Sequence, residues 1–378
     1  MLILHGDVYT KDFTFEKKNV RIRDGRILEV TDQELTPEDG EEVREAAGLK
    51  LIPGLTDIHF HGCMGADLCD GTQEALSTMA RYERSVGVTN ICPATMTLPL
   101  ETVRQVCLMA AGHHKQEGEA DLVGINLEGP FISPKKVGAQ NPAYVVPADA
   151  EFLKKLLEET DHLPKLITVS PEDKQSLDCI SGLHNEIRFS LGHTCATYEE
   201  AKAMFEAGAR HMTHLYNAMP GLTHREPGPI AAGAEREDVT PELICDCIHI
   251  HPAAVRAAFS LFGPERMILI SDSTRACGME DGRYELGGQP IVKRDGAAWL
   301  VTPEDPVGHT LAGSATNLFD CMKKAMSLCR IPEEDALRAA TYNPAMAIGI
   351  LEDYGTIEPG KKANLVLVTP EYEIREVF

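Results

Sequence analysis

Pro53-Gly54-Leu55-Thr56-Asp57-Ile58-His59-Phe60-His61-Gly62 is an apolar run that ends in two histidines one residue apart. On a β-strand, residues i and i+2 point to the same face, so both imidazoles reach toward one point. Histidine is the commonest neutral metal ligand. Pro53-Gly54 opens the run and Gly62 closes it, which puts the pair at the C-terminal end of the strand. On its own, His-x-His is ordinary surface chemistry; the pattern of the residues beyond Gly62 decides the fold.

From about residue 55 to 275, short apolar runs alternate with helix-like stretches. The strand candidates are Leu55–His61, Val88–Met96, Asp121–Glu128, Lys165–Ser170, Ile187–His193, His211–Tyr216, Leu243–His249 and Met267–Asp272. Helical patterns at Thr72–Ser85, Leu100–His114, Ala148–Glu159, Tyr198–Ala207 and Pro252–Leu261 lie between them. Alternating β and α with eight strands predicts a (β/α)8 TIM-type barrel. The chain ends read differently. Asn19–Arg23 and Arg26–Val30 flank Asp24-Gly25, and Leu365–Val368 follows a Gly- and Lys-bearing turn. These short strands predict one small β-sandwich module built from both termini. The expected division is 1–52 and 349–378 for the module and 53–348 for the barrel. Gly287-Gly288 and Asp295-Gly296 predict a hairpin within 283–301, and the charge run Glu38–Glu45 reads as a solvated loop.

Composition narrows the class. The apolar share of 43% and charged share of 25% in 378 residues fit a globular protein, and no apolar run approaches the ~20 residues that span a bilayer. Met1–Asp7 lacks the basic stretch and apolar core of a signal peptide, so the cytoplasm is the expected compartment. A net charge of −22 argues against nucleic acid or an anionic membrane as partner. A phosphorylated ligand would need a local basic pocket. The 11 cysteines include no Cys-x-x-Cys and read as reduced, mostly buried small hydrophobes, Cys245 and Cys247 among them.

Five potential ligands stand at predicted strand ends: His59, His61, Glu128, His193 and His214. In barrels of this kind those ends carry the active site. Taken singly, each histidine reads equally well as a satisfied core residue; their coincidence at separate strand ends does not. The donor set suits one or two divalent ions, Zn, Fe(II) or Mn, with Zn expected first. Asp272 ends the eighth strand and is placed as a general base.

Pro53–Gly62, Leu127-Glu128-Gly129-Pro130, Gly192-His193-Thr194, His211–Pro220, Arg225-Glu226-Pro227-Gly228, Ser271-Asp272-Ser273, Leu311–Ser314 and the closing Gly355–Val368 together resemble the amidohydrolase superfamily. Within it they resemble the N-acetylglucosamine-6-phosphate deacetylase family. The resemblance implies metal-dependent hydrolysis of the acetamide of N-acetyl-D-glucosamine 6-phosphate to glucosamine 6-phosphate and acetate, in amino-sugar catabolism. It implies Glu128, His193 and His214 as ligands of one metal, His59 and His61 as ligands of a second, and Asp272 as acid/base. Asn217 and Ala218 resemble contacts to the sugar phosphate. Arg225 and His249 resemble a phosphate-binding pair that a homodimer donates to the neighbouring active site. One departure stands at Gln140, where some members carry a histidine that polarises the acetyl carbonyl; a Gln amide donates a hydrogen bond there but carries no charge. A galactosamine-epimer deacetylase and a catalytically inactive relative are the alternatives. A cyclic-amide hydrolase would ordinarily show a bridging lysine where Glu128-Gly129-Pro130 stands.

Overall fold

The computed structural model describes residues 1–378. Eight parallel barrel strands appear in the predicted order: Leu55–Asp57, Val88–Ile91, Ile125–Glu128, Pro164–Val169, Arg188–Leu191, His211–Met212, Thr240–Ile244 and Ile268–Ile270. The first pairs with the second, Asp57 opposite Ile91. The ring closes where Asp272 N–H donates to the His59 carbonyl at 2.9 Å and His61 N–H to Ser273 at 2.7 Å. Leu166, Ile244, Ile268 and Ile270 cluster with Ile58 and Cys92, and Ala347 and Ile348 close that apolar layer.

Local signals place the helices. Thr72 caps Gln73–Ser85 by accepting from Ala75 N–H, and Thr197 with Glu200 forms a capping box on Tyr198–Ala207. His251 caps Pro252–Phe262, the exposed role expected of a histidine at a helix start. Several elements depart from expectation. Lys174–Leu183, Gly228–Ala234, Leu318–Ser327, Glu333–Ala340 and Tyr342–Ala347 are helices the sequence pattern did not mark. The third strand ends on Glu128, but the strands before the ligand histidines stop short of them. The first ends at Asp57, and the seventh runs over Thr240–Ile244, starting three and ending five residues earlier than Leu243–His249.

Both termini join one seven-stranded sheet, ordered Ile374–Val377, Leu365–Val368, Lys50–Pro53, Leu2–Tyr9, Phe15–Arg23, Arg26–Thr31, with Val43–Glu45 beside Leu2–Leu4. Ile3, Val8, Val20, Leu51, Leu365 and Leu367 form its apolar core. The charge run Glu38–Glu45 is therefore partly a strand, not all loop. Val43–Glu45 pairs with Leu2–Leu4, and Arg44 within it is neutralised by Glu42 at 2.7 Å and Glu376 at 2.8 Å.

The predicted hairpin is an antiparallel sheet of four strands, Gly282–Leu286, Gln289–Arg294, Ala297–Leu300 and Thr310–Ser314. Its tight turns fall at Gly287-Gly288 and Asp295-Gly296, all with positive φ, the conformation that two-residue hairpin turns require. Leu286, Ile291, Ala298 and Ala312 pack against Met96, so the sheet leans on the end of the second barrel strand.

Candidate active site

At the C-terminal end of the barrel, Glu128 receives four imidazoles. Its Oε1 lies 3.0 Å from both His193 Nε2 and His214 Nε2, which are 3.0 Å from each other. Its Oε2 lies 3.2 Å from His61 Nε2, and His59 Nε2 stands 3.5 Å from Oε1. Asp272 Oδ1 faces the second pair, 3.4 Å from His61 Nε2 and 3.8 Å from His59 Nε2. All six residues are buried. His193, His214 and Asp272 sit at positive φ, as do Tyr216 and Ala218. Such strain persists where surrounding structure over-determines it, and it clusters at functional sites.

The outer nitrogens decide which ring atom points inward. His193 Nδ1 meets the Lys136 carbonyl at 2.9 Å, His61 Nδ1 the Ala94 carbonyl at 3.3 Å, and His59 Nδ1 the Glu242 carboxylate at 2.8 Å. Carbonyls and carboxylates only accept, so each of those Nδ1 atoms carries a proton and leaves the Nε2 lone pair facing the centre. His59 Nε2 is buried without any hydrogen-bond partner. A buried, partnerless nitrogen among convergent donors is satisfied by a cation. Two ligand groups result, His59–His61–Glu128 and Glu128–His193–His214, with Glu128 common to both.

Charge follows the same geometry. Burial alone would push the Glu128 carboxyl up, but His193, His214 and His59 hold it well below the usual carboxylate range. Burial opposes a charge on His61, yet Asp272 and Glu128 raise its pKa to about 10, so its Nε2 holds a proton where a cation would otherwise sit. Asp272 is held low against burial by the hydrogen bond from His61 and the charge of His59. The pocket is thus built to hold positive charge between carboxylates, which is the electrostatic requirement of a divalent ion.

A cavity of about 420 Å³ opens above the ligands, and His61, Glu128, His193, His214 and Asp272 border it. Gln140, Asn217, Ala218 and His249 line it as well. So do Lys135 and Lys136, which carry no motif in the sequence, and Leu286, Thr310 and Leu311 from the four-stranded sheet. Gln140 is buried. Its Oε1 accepts from Thr97 N–H at 2.7 Å, and its Nε2 donates to Glu128 Oε2 and approaches Met96 Sδ at 3.8 Å. Asn217 Nδ2 donates to the His214 carbonyl at 3.3 Å. His249 lines the cavity of its own chain, held by Asp246 Oδ2 at 2.7 Å. That differs from the expectation that it is donated to a neighbour; the loop after the seventh strand already reaches the site. Arg225 is not brought in. It lies on an exposed loop with Leu222, outside this cavity.

Glu242 and His211 also stand at the site without a sequence signal that singles them out. His211 appears only inside a motif, and Glu242 falls before the predicted strand, with nothing local to mark it. A larger cavity of about 560 Å³ lies where the terminal module meets the barrel. Among its charges, Lys115 pairs with Asp121 and Arg26 with Asp353, each at 2.7 Å.

The Amidohydrolase family matches residues 51–378. The chain belongs to the amidohydrolase family. It is 35% identical to N-acetylglucosamine-6-phosphate deacetylase of Bacillus subtilis (strain 168), covering 99% of this chain and 94% of that protein. It is 30% identical to N-acetylgalactosamine-6-phosphate deacetylase of Escherichia coli O157:H7, covering 98% and 95%. Among solved structures, a mutant N-acetyl-D-glucosamine-6-phosphate deacetylase from Mycobacterium smegmatis, in complex with N-acetyl-D-glucosamine-6-phosphate, superposes with a TM-score of 0.90 at 30% identity. That superposition covers 100% of this chain and 97% of the other. The (β/α)8 expectation agrees with that superposition. No helix is long and apolar enough to cross a membrane.

Proposed function

We propose that this amidohydrolase removes the acetyl group of N-acetyl-D-glucosamine 6-phosphate by metal-dependent hydrolysis, releasing glucosamine 6-phosphate and acetate in amino-sugar catabolism. The observation that carries the reading is the inward set of Nε2 atoms around Glu128, with Asp272 Oδ1 facing it at the floor of a cavity. Full-length relatives with that activity support the substrate class.

Glu128, His193 and His214 would hold one ion, and His59, His61 and Glu128 a second; Zn fits the His/carboxylate set as well as Fe(II) or Mn. A divalent ion there supplies Lewis-acid polarisation and acidifies a water toward pKa ~7. The chain's own residues handle the protons. Asp272 Oδ1, kept ionised by its histidine neighbours, accepts the proton of the attacking water. The same oxygen returns it to the sugar nitrogen as the C–N bond breaks. Gln140 fixes Glu128 from above; its amide turns to the acetyl oxygen only by exchanging one of its present contacts. Asn217, Ala218 and His249, which line the same cavity, meet the phosphate. Arg225, exposed and outside its own cavity, reaches the phosphate of a neighbouring subunit in a homodimer. The enzyme works in the cytoplasm.

The deciding assay is acetate release by metal-analysed protein from N-acetylglucosamine 6-phosphate, its galactosamine epimer and unphosphorylated N-acetylglucosamine. Turnover of the first, lost with chelator and restored by a divalent ion, is the expected result. Preference for the epimer would reassign the substrate, and no turnover of any would overturn the reading.

A further inference from the structure

The seventh barrel strand, Thr240–Ile244, carries a fully buried carboxylate that the proposed hydrolysis does not use. Glu242 Oε2 lies 2.8 Å from His59 Nδ1 and also accepts the backbone N–H of His214 at 3.1 Å. Its other oxygen lies 3.0 Å from His211 Nε2, and His211 Nδ1 lies 2.7 Å from Thr240 Oγ1. One carboxylate therefore touches the ring of a ligand in one metal group and the backbone of a ligand in the other.

Among the four ligand histidines, His59 alone presents its outer nitrogen to a carboxylate. His61 and His193 use backbone carbonyls, and His214 Nδ1 has no partner. A charged acceptor fixes the tautomer more firmly than a carbonyl and makes the inward nitrogen a stronger donor to a cation. At His214 the same carboxylate orients the main chain and leaves the ring electronically untouched.

We propose that Glu242, buttressed by His211, is a positioning residue that selectively strengthens cation binding at the His59–His61 group and so sets whether the enzyme carries its second ion. The inference rests on the proposed metal site. Its distinctive content is inequality: loss of the Glu242 charge weakens one group and spares the other.

Glu242→Gln tests this with little change of shape. The amide oxygen retains the bonds from His59 Nδ1 and His214 N–H. The new NH₂ faces His211 Nε2, which becomes an acceptor while Nδ1–H donates to Thr240 Oγ1. Cation binding is measured by titration against a competing chelator, with metal content read after dialysis; the step abolished by His61→Ala is assigned to the His59–His61 group. The expected result is roughly 10- to 100-fold weaker binding in that step, and less than about threefold change in the step at His193 and His214. Should Glu242→Gln not fold, Glu242→Asp withdraws the carboxylate by one methylene from His59 while keeping a buried anion near His211, and the same selective loss is expected. Equal weakening of both steps, or two unchanged steps, overturns the proposal. A wild-type chain holding a single ion that neither variant affects overturns it too. A wild-type chain that binds no divalent ion instead overturns the metal site itself before any variant is compared.

Discussion

Replacing Asp272 by asparagine keeps the side chain's volume and one oxygen but removes its capacity to accept and return a proton. In the structure, Oδ1 faces His61 Nε2 at 3.4 Å and His59 Nε2 at 3.8 Å, at 6% exposure, so solvent does not readily substitute for it. A positioned acid/base group contributes ~10²–10⁴ in rate, equivalent to about 2.7–5.4 kcal/mol of barrier. Asp272→Asn should therefore lower kcat by that factor. KM should change only a few-fold, because Asp272 is not among the groups proposed to hold the phosphate. The ion at His193 and His214, which Asp272 does not approach, should remain. The assay is acetate release at saturating substrate, with metal content measured on the same sample. A kcat within threefold of wild type at wild-type metal content would refute the assigned role, and loss of all bound metal would transfer Asp272 to the ligand set.

Three further outcomes are expected from the geometry. Arg225→Ala should raise KM for the phosphorylated sugar about 10- to 100-fold, the worth of a charged hydrogen bond, with kcat little changed. Steady-state kinetics check this, and an unchanged KM would remove Arg225 from the phosphate site. Burial disfavours a charged His249, but Asp246, and Asp272 beyond it, outweigh burial and raise its pKa above 6.5. The stability this charge contributes is complete below the unfolded value and is lost as pH rises through the raised one. KM for the phosphorylated sugar should climb over the same window, and Asp246→Asn should shift the climb to lower pH; a KM flat between pH 6 and 9 would contradict this. Finally, a Cβ on Gly192 would meet Thr213 Cβ at 2.6 Å and Thr168 Cγ2 at 2.8 Å. Gly192→Ala should destabilise by ~1–3 kcal/mol, read as a lower urea midpoint.

Features carried by contiguous residues were legible in the sequence. The alternation of apolar and amphipathic runs yielded the barrel, and the expected stretches Thr72–Ser85 and Tyr198–Ala207 are helices over Gln73–Ser85 and Tyr198–Ala207. The spacing of His59 and His61 brought both rings to Glu128. The helix Lys174–Leu183 escaped because Ser176, Asp178, Ser181 and Gly182 interrupt its apolar pattern, although Cys179, Ile180 and Leu183 are buried. Lys135 and Lys136 carry no motif, and only the folded loop shows that they border the cavity.

What the sequence determined by itself was local: the β/α rhythm, the turn residues, and a set of ligand-type side chains at the ends of apolar runs. Those depend on periodicity and backbone preference within a few residues. The tertiary structure alone decided which oxygen the outer nitrogens of His59, His61 and His193 meet, and so which nitrogen faces the centre. It also decided that Gln140 grips Glu128, that His249 lines its own chain's cavity, and that Glu242 stands behind His59 across 183 residues of chain. Hydrogen bonds between strands distant in sequence leave no periodic trace, because closure of the barrel, and no local preference, brings their partners within reach.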